Sequence, residues 1–124
     1  MASPARILVA EDEASVATPI VNRLLRAGHE VRWVRQMREL RPEMVAFVPH
    51  LVLLDTTLEV DGLEFFQAMR FAPGHPPAGM IILTPAGDVR TKERAQQLGA
   101  AAVMSKPIDE DALAAVVGDL LSMI

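Results

Sequence analysis

The run Leu51-Val52-Leu53-Leu54-Asp55 decides the fold: four apolar residues in succession lead into a single acid. A strand with one face in water alternates apolar and polar side chains. This run does not, so it reads as a strand covered on both faces. Working outward, comparable short runs stand at Arg6-Ile7-Leu8-Val9-Ala10, Val31–Val34, Met80–Leu83 and Ala101–Met104, at intervals too long for hairpins. Four of the five are continuous apolar stretches of the kind found in a parallel sheet sandwiched by helices. Val31-Arg32-Trp33-Val34 is more mixed and suits an edge strand.

Helical stretches of crossover length fill the intervals. Ile20, Val21, Leu24 and Leu25 keep helical spacing, and Gly28 stands where a helix C-terminus favours it. Pro19 is read in the first turn, where a missing N–H costs nothing. A further helix carries Leu63, Phe65, Phe66 and Met69 after Asp61-Gly62 and ends before the loop Pro73-Gly74-His75-Pro76-Pro77. Asp88 is the N-cap of a helix running to Leu98 and closed by Gly99. The last helix opens at Asp109-Glu110-Asp111, where negative charge suits the helix dipole, and carries Leu113, Val116, Val117 and Leu120. Residues 36–47 are the weakest segment, and Pro42 predicts a short or distorted helix there. The sum is an α/β fold: a doubly wound five-stranded parallel sheet, built as (βα)5 with helices on both faces.

The 124 residues suffice for one domain, 1–124, with a single sizeable core. Hydrophobic residues at 51% and charged residues at 23% exclude disorder. The longest apolar run, Ala112–Val117, is too short to span a bilayer, and Met1–Arg6 has no signal-peptide core; both point to the cytoplasm. Without cysteine there are no disulfides, thiolate metal sites or cysteine nucleophiles. His29, His50 and His75 lie in separate segments, which argues against a histidine-based zinc site. The net charge of −4 opposes non-specific nucleic-acid binding. Six arginines, Arg23, Arg26, Arg32, Arg35, Arg38 and Arg41, crowd one segment beside Glu30 and Glu39, and read as a solvated face. Trp33 and the four phenylalanines read as packing.

In doubly wound sheets ligands gather at the carboxyl ends of the strands. There the chain places Glu11, Asp12 and Glu13 after strand one, Asp55 at the end of strand three, Thr84 after strand four, and Ser105-Lys106-Pro107 after strand five. Glu13 reads as an exposed acid at a helix start. Convergent carboxylates repel one another, and a hard divalent cation such as Mg²⁺ relieves that repulsion. No Walker lysine motif and no glycine-rich fingerprint is present. Metal, lysine and hydroxyl together suit the handling of a phosphoryl group, with an aspartate able to act as nucleophile.

These segments resemble the receiver domain of the response-regulator family of bacterial two-component signalling. The resemblance rests on Ile7–Glu13, Leu51–Asp55, Asp61-Gly62, Ile81–Thr84 and Gly99-Ala100 through Lys106-Pro107, in order and at matching spacing. It implies a flavodoxin-like receiver fold with Asp55 as phosphoacceptor. Asp12 would bind Mg²⁺ directly, Glu11 through a water, and Asp55 and the Thr57 carbonyl would complete the protein's share of the metal shell. Thr84 and Lys106 would bind phosphoryl oxygens, with Lys106–Pro107 cis. The implied partner is a sensor histidine kinase or phosphotransfer protein, with neither nucleic acid nor membrane bound directly. Output would pass through the surface of the fourth helix, fifth strand and fifth helix to an output domain, a protein partner or a second copy. The reading expects no effector domain after Ile124. Such a domain catalyses its own phosphorylation and dephosphorylation and is not an enzyme on an external substrate.

The chain departs from the family pattern at several points. The Asp55–Gly62 stretch is one residue shorter, and Glu59 stands where proline is common. Pro85 follows Thr84 where a small residue is usual, which predicts slower or more selective phosphorylation. Val103 replaces the aromatic switch residue that works with the threonine, and Ile108 is likewise non-aromatic. These departures favour, as a second reading, an atypical receiver-like interaction module regulated without phosphate. An unrelated flavodoxin-like enzyme is the third reading, weakened by the missing cofactor loop.

Overall fold

The structure, a computed structural model, describes residues 4–58, 62–71 and 79–123. Glu59, Asp61, His75 and the loop Pro73–Pro77 lie outside the described residues. Five strands, β1 (Arg6–Ala10), β2 (Glu30–Val34), β3 (Leu51–Asp55), β4 (Gly79–Thr84) and β5 (Ala102–Ser105), alternate with α1 (Ala14–Arg26), α2 (Met37–Phe47), α3 (Gly62–Phe71), α4 (Val89–Gln97) and α5 (Glu110–Ser122). All pairings are parallel, in the order β2-β1-β3-β4-β5. This is the expected doubly wound sheet, and the strand order reverses between β1 and β3.

Periodicity two assigns alternate strand residues to opposite faces, and the core divides accordingly. Leu8, Val52, Leu54, Met80 and Ile82 point to one face, where Met37, Leu40, Met44 and Phe47 of α2, Leu63 and Phe66 of α3 and Ala95 of α4 cover them. Ile7, Val9, Leu51, Leu53, Ile81 and Leu83 point to the other, against Ile20 and Leu24 of α1 and Leu113 and Val117 of α5.

The mixed strand β2 lies at an edge, as its sequence predicts. β5 departs from expectation. Its apolar run is not buried on both faces but forms the opposite edge, with Ala102–Met104 half-buried and Ser105 exposed. Small and apolar side chains are tolerated at an edge, so an apolar run alone does not separate edge from centre.

Two proline readings are also corrected. α1 starts at Ala14, so Pro19 lies in the second turn rather than the first, and α2 runs a full 11 residues with Pro42 inside it. Each proline lacks the N–H that would reach the carbonyl four residues earlier, a local cost of about 3 kcal/mol. Burial of Ala17, Ile20 and Leu24 in α1, and of Met37, Leu40, Met44 and Phe47 in α2, offsets it. α2 gains further support from a capping contact at its start: the Glu39 side chain accepts from the Gln36 N–H at 3.1 Å, while the Glu39 N–H donates to the Gln36 carbonyl at 3.0 Å.

The other helix signals hold. Asp88 caps α4 through the Thr91 N–H at 3.1 Å, and Asp109 caps α5 through the N–H groups of Asp111 and Ala112. Gly28 (φ 93°) and Gly99 (φ 90°) take the left-handed conformation after α1 and α4. His29 and His50 stand in the connections immediately before β2 and β3, and there they tie the chain together. Their Nδ1 atoms accept from the backbone N–H groups of Ala5 (3.3 Å) and Arg6 (3.0 Å).

Candidate functional site

The reversal of strand order leaves a crevice beyond the carboxyl ends of β1 and β3. Register Ala10↔Leu54 brings Glu11 and Asp55 side by side there. Both are fully buried, although they are acids, and Thr84 at the end of β4 is buried with them. Asp12, one residue further along, is exposed at the mouth. Carboxylate oxygens of Glu11, Asp12 and Asp55 lie within 4.8 Å of one another.

Lys106, from the turn after β5, reaches across the ends of the strands. Its Nζ donates to Asp55 Oδ2 at 2.9 Å and stands 3.4 Å from Glu11 Oε2. The Lys106 N–H donates to the Thr84 carbonyl at 2.8 Å, and Lys106–Pro107 is cis, as the resemblance implies. Asp55 is further held by Thr57, whose N–H and hydroxyl reach Oδ1 at 2.9 Å, the hydroxyl lying equally 2.9 Å from Oδ2. The Thr84 hydroxyl makes only a long contact, 3.5 Å to the Met104 carbonyl.

The charges in this crevice do not balance. Burial, then hydrogen bonding to Asp55, pushes Glu11 up to about 8, against the opposing pull of the Glu13 N–H and Lys106. Burial alone would raise Asp55 too. Hydrogen bonds from Glu11, Thr57 and Lys106 outweigh it and hold Asp55 below the usual carboxylate value. Burial likewise opposes the charge on Lys106, and the two acids more than compensate, raising it. One lysine thus serves two buried acids. Glu11 Oε1 accepts from the Glu13 N–H at 3.1 Å, while Glu11 Oε2 is buried with no hydrogen-bond donor, only the looser ion pair to Lys106. A buried oxygen without a donor, beside two further carboxylates, fits a hard divalent cation.

The sequence-predicted residues Glu11, Asp12, Asp55, Thr57, Thr84 and Lys106 therefore converge. Val103 does not enter the crevice. It is half-buried on β5 and packs into the core face that holds Ala95 of α4. Pro85 and the threonines Thr56 and Thr57 line one side of an adjoining groove of ≈ 440 Å³, with Arg90, Arg94 and Gln97 of α4 also in its wall.

Sequence reasoning missed two contributors. Trp33, read only as packing, donates its indole N–H to the Glu11 carbonyl at 2.7 Å, and Arg35, counted in a solvated face, donates to the Asp12 carbonyl at 3.2 Å. The parallel β1/β2 register creates both contacts. No local motif signals them.

A doubly wound sheet with two buried acids and a lysine at its switch point is the arrangement of a receiver, a signalling domain. The chain belongs to the response regulator receiver domain family of two-component signal transduction, whose family model matches residues 7–118. It is 30% identical over 124 residues to the response regulator Rre1 of Synechocystis, covering 98% of this chain and 54% of that protein. Among solved structures, a response regulator from Chloroflexus aurantiacus shares the fold with a TM-score of 0.88 and 26% identity, covering 97% of this chain and 99% of that one. The signal receiver domain of a signal transduction histidine kinase from Syntrophus aciditrophicus matches at TM-score 0.85 and 28% identity, over 97% and 92% of the two chains. The chain spans about half the length, or less, of the curated relatives it matches. No helix among the described residues is long and apolar enough to cross a membrane.

Proposed function

We propose that this domain is a phosphoryl-accepting switch, phosphorylated on Asp55 in a Mg²⁺-dependent reaction. The observation that carries the reading is the fully buried Asp55 carboxylate, 2.9 Å from Lys106 and gathered with Glu11 and Asp12. An Asp55 oxygen attacks the phosphorus of a phosphohistidine on a sensor kinase or phosphotransfer protein. The O–P bond forms as the P–N bond breaks, and the histidine nitrogen leaves with the electron pair. Water later cleaves the acyl phosphate and releases inorganic phosphate.

Asp12 and Asp55 would hold Mg²⁺, with Glu11 acting through a water and the Thr57 carbonyl completing the set. The ion supplies charge neutralisation for the phosphoryl oxygens. Lys106 binds one phosphoryl oxygen by a charge-assisted hydrogen bond. The Thr84 hydroxyl, weakly engaged with Met104, turns to another. That movement, with Val103 shifting beside it on β5, would alter the α4-β5-α5 surface. An output domain, a protein partner or a second copy would read the change. A cytoplasmic setting goes with such a kinase partner.

Acetyl phosphate labelling, or beryllofluoride binding, tests the reading: a Mg²⁺-dependent signal is expected in the native protein and none in Asp55→Asn. Labelling that survives in Asp55→Asn would overturn the assignment. The absence of any Mg²⁺-dependent signal in the native protein would favour the phosphate-independent interaction module. That second reading draws on Thr57, which engages both Asp55 oxygens, and on Pro85 at the groove wall. Pro85→Ala is expected to label faster than the native domain; equal rates would remove Pro85 from the account.

A further inference from the structure

We propose that Trp33 and Arg35 are positioning residues for the acidic loop, forming a strut from β2 that holds the backbone of Glu11 and Asp12 where a divalent cation can be bound. The inference rests on the reading of Glu11, Asp12 and Asp55 as a metal site. Three consecutive residues of one strand end engage two consecutive residues of another. The Trp33 indole donates to the Glu11 carbonyl (2.7 Å), the Val34 carbonyl accepts from the Glu11 N–H (3.1 Å), and the Arg35 guanidinium donates to the Asp12 carbonyl (3.2 Å).

The strut is itself braced. The Arg35 guanidinium lies over the Trp33 ring at 5.1 Å, a cation–π contact that fixes the exposed arginine against a half-buried indole. Trp33 packs against the core face covered by α1 and α5. The backbone at Arg35 and Gln36 is tied to α2 through Glu39, whose Oε1 accepts both N–H groups at 3.4 and 3.1 Å. The acidic loop therefore gains support from elements that contribute no ligand of their own.

Such support is needed because Asp12 stands exposed beside the buried carboxyl groups of Glu11 and Asp55. Without it, hydration of these carboxyl groups would draw the loop toward water. Backbone carbonyls held by an N–H and a guanidinium cannot turn outward without losing both bonds. Outer partners of this kind, though they never touch the metal, set the ligand geometry and typically alter affinity by about tenfold or more. The charge of Arg35 acts in the opposite direction, repelling a cation. It is exposed and screened, so orientation prevails.

Charge-neutral changes separate these effects. Trp33→Phe keeps the ring and removes the N–H donor; Arg35→Lys keeps the charge and removes the planar guanidinium. Calorimetric titration with Mg²⁺ alone is expected to show affinity reduced by about tenfold in Trp33→Phe and by about threefold in Arg35→Lys, with Tm little changed. Amide hydrogen exchange at Glu11 and Glu13, followed without metal, is expected to quicken in both variants. Affinity within about twofold of native, with unchanged exchange, would overturn the strut. If the native domain itself binds no Mg²⁺, the metal reading fails, and exchange alone decides: quickened amides support the strut and unchanged amides reject it.

Discussion

At the scale of single residues, the site is held by a shortage of positive charge. Lys106 alone faces buried Glu11 and Asp55, so removing it leaves two acids without a cation among the described residues. Lys106→Met is expected to lower stability by about 2–4 kcal/mol in chelator-treated protein, measured by urea unfolding. No loss would mean that Glu11 and Asp55 do not confront each other. Away from the site, His29 sets a pH response. Burial holds its pKa below the ordinary value, while its Nδ1 accepts the Ala5 N–H. The unfolded chain then binds a proton more readily than the folded one. Its stabilisation is present above 6.5 and fades as pH falls through the lower folded value. Glu11, raised by burial, works in the opposite sense, stabilising at low pH and less as pH approaches 8. Comparison of native and His29→Gln unfolding between about pH 7 and pH 5.5 isolates the histidine, and the variant should lose less stability on acidification. The identities of Asp55, Asp12, Glu11, Thr84 and Lys106 were legible in the sequence because each follows a strand and strand ends share one edge. The roles of Trp33 and Arg35 were not, since a hydrogen bond between residues about twenty positions apart depends on register.

At the scale of elements, local propensity and tertiary packing disagree most in α2. Pro42 should break the helix, yet Met37, Leu40, Met44 and Phe47 keep one face against the sheet and the capping contact holds its start. Pro42 is exposed, so its ring adds little packing in compensation. Pro42→Ala is therefore expected to stabilise the domain by about 1–2 kcal/mol, the restored helix bond exceeding the entropy that the unfolded chain regains. Unchanged or lower stability in urea titrations would show that the ring fits the surface better than its exposure suggests. The same disagreement explains the misplaced turn of Pro19 in α1. β5 shows the converse: an apolar run forms an edge, with no strand among the described residues pairing beyond it.

At the scale of the whole molecule, two cores share one sheet. Leu40 on α2 and Leu113 on α5 are both fully buried but lie on opposite faces. Leu40→Ala and Leu113→Ala are each expected to cost about 2–5 kcal/mol. Because β1, β3 and β4 contribute to both cores, each variant should still unfold in one transition. The two losses should add within about 0.5 kcal/mol in the double variant. Two transitions in urea would show that the faces fold independently. The sequence by itself determined the strand-and-helix alternation, the parallel sheet, and which acids, lysine and threonine meet at its carboxyl edge. All of these follow from periodicity, run length and residue type, which act locally along the chain. Only the tertiary structure decided which apolar strand became an edge, whether two prolines could remain inside helices, and that Trp33 and Arg35 brace the acidic loop. Those outcomes depend on what packs across the sheet and on the register of neighbouring strands, where burial and long-range hydrogen bonds outweigh local preference.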